Sequence, residues 1–122
     1  MKNIDWIIHY VIGTEGPGGI VNAHTHGMER YDHLDFQLVL PLVQKQTCEI
    51  LNTIGIEVQN GRKFEPNIYY IDIFTCGFRL LPVLETGRKV LRLILPDPQM
   101  RFPENPLCIE PYKSQTKSAF EI

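Results

Sequence analysis

Along most of the chain, hydrophobic residues either alternate with polar ones or fall in short β-branched runs; a helical stripe occurs once. Residues 6–12 are rich in β-branched and aromatic side chains and predict a first strand. The strand stops at residues 13–19, where four glycines and a proline force a loop. Residues 20–26 and 36–40 read as the second and third strands, with a polar stretch over 27–35 between them. Pro41 suits the first turn of a helix, where its missing N–H is not needed. Val43, Thr47, Ile50, Leu51 and Ile54 then recur at spacings that place them on one helical face. Gly55 is the expected stop, and Asn60-Gly61 marks a tight turn.

Beyond this helix the period changes to two. Residues 67–74, 78–84 and 89–95 read as strands separated by Thr75-Cys76-Gly77 and by Glu85-Thr86-Gly87-Arg88. Connections this short permit hairpins and forbid parallel crossovers, which need about a dozen residues. In the last strand Leu91, Leu93 and Leu95 share a core face. Val90, Arg92 and Ile94 share the other face, which is expected to be covered by a helix or by a second copy in a homodimer. Pro96, Pro98, Pro103, Pro106 and Pro111 then keep the C-terminal tail extended over the surface. The pattern predicts one α+β domain spanning 1–122: a mostly antiparallel sheet, one main helix packed on one face, and a proline-rich C-terminal tail. Periodicity leaves open whether the sheet closes into a barrel.

Composition narrows the class. A chain of 122 residues has the size of one domain and can bury a core without a covalent staple. Its net charge of −2 comes with scattered Lys and Arg, so the basic stripe of a nucleic-acid binder is missing. Cys48, Cys76 and Cys108 are odd in number and contain no Cys-x-x-Cys pair, which points to free thiols in a reducing compartment rather than a disulfide framework. No leader pattern opens the sequence, and no run approaches the roughly 20 apolar residues that span a bilayer. The expectation is a soluble cytoplasmic protein without a membrane partner.

One stretch invites chemistry: Asn22-Ala23-His24-Thr25-His26-Gly27, followed by Glu29, Asp32, His33 and Asp35. Residues two apart on a strand share a face, so His24 and His26 can present two imidazoles to one divalent metal, with His33 or an acidic neighbour completing the site. The same residues can also sit on a half-exposed strand, bonding to backbone and solvent, with Ala23 and Thr25 facing inward. Two metal-site families can be tested on the motif. Ala-His-Thr-His-Gly resembles the first-strand motif of amidohydrolases, but those enzymes need a (β/α)₈ barrel of roughly 250 residues and further ligands. Cupins place a His-x-His pair ahead of a glutamate and a distant histidine; here Glu29 follows too closely, and no histidine follows His33. His9, alone in an apolar strand, reads as a core or edge residue. Other signatures are missing: there is no Gly-x-Ser-x-Gly elbow, and the loop at 13–19 lacks the lysine of a phosphate loop.

The order of several short motifs carries a family resemblance. His26-Gly27-Met28, then Tyr31-Asp32-His33-Leu34-Asp35-Phe36, the helix with Ile50-Leu51-Asn52, the turn at 61–64, and Leu95-Pro96-Asp97 ahead of Arg101-Phe102-Pro103 resemble the bacterial domain of unknown function 4262 family over residues 20–112. The chain departs from that pattern at His33-Leu34-Asp35-Phe36, where the family has His-Pro-Glu-Leu, and at Met100, where a glycine is usual. The resemblance implies a single bacterial domain, directs attention to His33, and brings no activity with it. The sequence therefore supports a binding or protein-interaction module. The alternative is a small metal-dependent enzyme using His24, His26 and His33, with Glu29 or Asp35 as ligand or general base.

Overall fold

A computed structural model describes residues 3–13 and 20–116. Of the glycine-rich loop expected over 13–19, Gly13 ends β1 and 14–19 lie outside the described residues, as does the end of the tail, 117–122. In chain order the elements are β1 (Ile7–Gly13), β2 (Ile20–His26), a 3₁₀ turn (Met28–Tyr31), β3 (Phe36–Leu38), α1 (Gln44–Gln59), β4 (Arg79–Glu85), β5 (Arg88–Ile94) and a second 3₁₀ turn (Tyr112–Thr116). One main helix and a mostly antiparallel set of strands make the fold α+β. The chain divides into two compact units, Met1–Phe64 and Glu65–Ile122.

In the first unit β1 and β2 form an antiparallel hairpin running from Ile7 opposite His26 to Gly13 opposite Ile20. β3 joins the other edge of β2, with Ala23 opposite Leu38 and His24 opposite Gln37. Since side chains alternate across a strand, this register sorts the residues onto two faces. Tyr10, Ala23 and Leu38 lie on one face, Tyr10 donating its hydroxyl to the Leu42 carbonyl (2.6 Å) just ahead of α1. His9, Asn22, His24, His26 and Gln37 lie on the other.

α1 packs against β1, β2, β3 and the first 3₁₀ turn, burying Thr47, Leu51, Ile54, Gly55 and Val58. It differs from expectation at both ends. Val43, in extended conformation, is the N-cap, so Pro41 precedes the helix rather than opening its first turn. Gly55 lies inside the helix, where the Trp6 indole rests on it: a Cβ there would stand 2.6 Å from the ring. The true stop is Asn60-Gly61. Gly61 has φ +103°, its amide bonds the Val58 carbonyl, and the Arg62 amide reaches back to Glu57, the pairing of a Schellman cap.

In the second unit β4 and β5 pair from Arg79 opposite Ile94 to Glu85 opposite Arg88. Thr86 and Gly87 both have positive φ, as the tight turns that match strand twist require. Val90, Arg92 and Ile94 are as buried as Leu91 and Leu93. The face expected to be covered by a helix or by a second copy is therefore already buried in the single chain. Residues 67–74 are not a strand: Asn67 has φ +64°, and Tyr70 makes a single bridge to Phe78. β-branched and aromatic content favours extension, but a strand exists only where a partner supplies a ladder.

The proline-rich stretch is a series of turns rather than an extended strap, and Asp97 organises it. Its carboxylate accepts hydrogen bonds from the amides of Gln99, Arg101 and Ile109 and from Arg101 Nε. Burial alone would raise the Asp97 pKa, but these bonds outweigh it and hold the carboxyl below its ordinary range. A depressed carboxylate stabilises the fold fully above its unfolded pKa of about 4, and that contribution disappears as pH falls through the lower folded value. The stability gap between the native chain and Asp97→Asn is expected to be full above about pH 5 and to close as pH falls below the unfolded value of about 4 toward the lower folded one. Urea titrations across that window would show it, and a gap unchanged with pH would contradict the assignment.

Candidate metal centre

The β1–β2 register sets His9 directly opposite His24, and His26 follows His24 by two residues on the same face. Three imidazoles thus meet without any long loop to order. The His9 and His24 rings stack with centroids 5.2 Å apart, and His26 stands edge-on to both, at 4.5 Å from His9 and 4.9 Å from His24. One ring nitrogen from each lies within 4.8 Å of the other two. A tetrahedral ion with metal–nitrogen bonds of 2.0–2.1 Å needs its ligand nitrogens about 3.4 Å apart. Drawing each nitrogen inward by about 0.8 Å closes that difference, a movement within reach of small χ rotations.

The cluster is graded in exposure. His24 is buried, His26 half-buried and His9 exposed. Strand neighbours on the same face include Ile7, Val11, Asn22 and Gln37. Gln37 is fully buried, and its Nε2 donates to Asn22 Oδ1 (3.0 Å).

The other sequence candidates lie elsewhere. The His33 ring is engaged at both nitrogens: Nδ1 lies 2.8 Å from the Leu34 carbonyl, and Nε2 accepts from the Phe64 amide at 3.0 Å. A carbonyl can only accept and an amide N–H can only donate, so the ring is neutral with its proton on Nδ1. It packs against Phe36 and Phe64 and ties the end of the unit to the segment before β3. Glu29 is exposed in the first 3₁₀ turn and stands outside the histidine group. Asp35 is buried as an anchor, accepting from Thr25 Oγ1 (2.8 Å) and from the Met28 amide (3.0 Å), while Thr25 Oγ1 accepts from the Phe36 amide. Asp35→Ala strands those buried donors and is expected to cost about 3 kcal/mol, read by urea denaturation. A loss under about 1 kcal/mol would contradict the anchoring role.

His9 is the member of the cluster that the sequence reading set aside. The signal was present in the loop: a hairpin closing between Gly13 and Ile20 pairs residues whose numbers sum to 33, and His9 with His24 satisfies that sum. Among the described residues the cysteines are free, and burial pushes the Cys108 thiol pKa up. No helix among the described residues is long and apolar enough to cross a membrane. Compared with protein-family models, with curated proteins and with solved structures, the chain matches none.

Proposed function

We propose that this chain is a metal-binding module that holds one divalent transition-metal ion through His9, His24 and His26. The observation carrying the reading is the mutual approach of three imidazole nitrogens from two adjacent strands on one sheet face. Neutral imidazole suits zinc, copper, nickel and iron, whereas calcium and magnesium prefer oxygen donors. Strand-borne ligands are held by the β1–β2 ladder, so little ordering entropy opposes binding. Membership of the domain of unknown function 4262 family belongs to the same proposal. It rests on motif order and adds no activity.

Equilibrium dialysis of untagged protein against zinc, followed by metal analysis, tests the reading. About one equivalent is expected, with an upward shift in thermal midpoint because an ion that binds only the folded state stabilises it by mass action. Retention near zero, with no thermal shift, would overturn it.

A further inference from the structure

We infer that the bound ion is a clip holding β1 on β2, so that metal binding and release switch this strand between a closed and a peeled state; this rests on the metal reading above. The ligands are divided unequally between the two strands. His9 lies on β1, whereas His24 and His26 both lie on β2. An ion held by all three spans the ladder, and β1 cannot leave β2 without giving up the bond to His9.

The two strands are held very differently by the rest of the fold. From Ile7 to Ile12 every side chain is exposed or half-buried, with Ile7 61%, Val11 51% and Ile12 63% exposed. β2 instead buries Val21, Ala23, His24 and Thr25. A strand that buries little apolar surface opens at a lower free-energy cost than the core elements beside it. The start of β1 is nevertheless fixed, because Trp6 just ahead of it is buried on Gly55 and donates to Asn52. Peeling therefore pivots near Trp6 and breaks the ladder together with the bond from Tyr10 to the Leu42 carbonyl.

Linkage sets the size of the effect. The closed state offers the ion three imidazoles, and the peeled state keeps the two on β2. Loss of a group that only orients a ligand costs up to 100-fold in affinity, so the closed state binds at least about a hundred-fold more tightly. The ion must then shift the opening equilibrium of β1 by that same factor.

Hydrogen–deuterium exchange at neutral pH, on untagged protein with and without saturating zinc, reads the switch. Without metal, the β1 amides are expected to exchange faster than those of α1. Zinc should slow them by about a hundred-fold or more, and should leave them unchanged in His9→Ala. Metal-free β1 amides as slow as those of α1 would overturn the inference, because the strand would then open only with the whole fold. Zinc protection that persists in His9→Ala would also overturn it, since the clip would not run through His9. Stoichiometric zinc with unchanged β1 exchange would overturn it while leaving the metal reading intact. Failure to hold zinc at all would remove both.

Discussion

Replacing His9 with alanine is expected to lower metal affinity by at least about a hundred-fold while leaving the fold unchanged. Loss of partners that only orient a ligand already weakens metal sites by 10- to 100-fold, so loss of a ligand should cost no less. His9 is exposed, and surface substitutions away from special features change stability by about 0.5 kcal/mol or less. The two effects therefore separate cleanly at this residue. His24→Ala should lose metal equally but also soften the fold, because the imidazole it removes is buried. His33→Ala should behave in the opposite way, keeping the metal and losing stability, since its ring serves Leu34 and Phe64. Zinc dialysis and urea denaturation on the three variants check the pattern. Metal retained by His9→Ala, or lost only in His33→Ala, would contradict the assignment of ligands.

The largest loss of stability is expected from Trp6→Ala, about 4 kcal/mol. Trp6 is only 5% exposed, its Nε1 donates to Asn52 Oδ1 at 2.9 Å, and its ring rests on Gly55, about one turn before the end of α1. The same contact makes Gly55 informative. In a free helix Gly→Ala gains about 1 kcal/mol. Here the added methyl would stand 2.6 Å from Trp6 Cζ2, and overpacking of that kind costs about 1–3 kcal/mol, so Gly55→Ala should be destabilising. Once Trp6 is alanine the obstacle is gone, and the same substitution should become neutral or stabilising. A double-mutant cycle by urea denaturation measures that change of sign. Additive effects would mean that the indole does not rest on Gly55.

Much of the fold was legible because period-two burial and turn residues act locally. β2 and the β4–β5 hairpin fall within a residue of the expected boundaries, and Thr86-Gly87 makes the turn that their pairing demands. The errors share one cause: what a local preference becomes is decided by whether a tertiary partner is there and what it needs. Gly55 resembles a helix stop, yet α1 continues through it because a distant indole needs the space. Residues 67–74 have the composition of a strand and form one bridge, because pairing is a property of two segments.

The candidate centre was half legible for a related reason. His24 and His26 share a face by strand alternation alone, which one segment reveals. Bringing in His9 required the register between two segments, and excluding His33 required its hydrogen bonds to Leu34 and Phe64. The sequence's expectation of a covered second face on β5 rested on alternation as well. That face is buried in the single chain, which removes the observation that pointed to a homodimer.

X-ray absorption on the zinc-loaded protein bears most directly on the central claim, because it counts and identifies the ligands. The arrangement of His9, His24 and His26 predicts three imidazole nitrogens at about 2.0–2.1 Å and one further light atom. A sulfur shell at about 2.3 Å, or a six-oxygen shell without imidazole scattering, would contradict it.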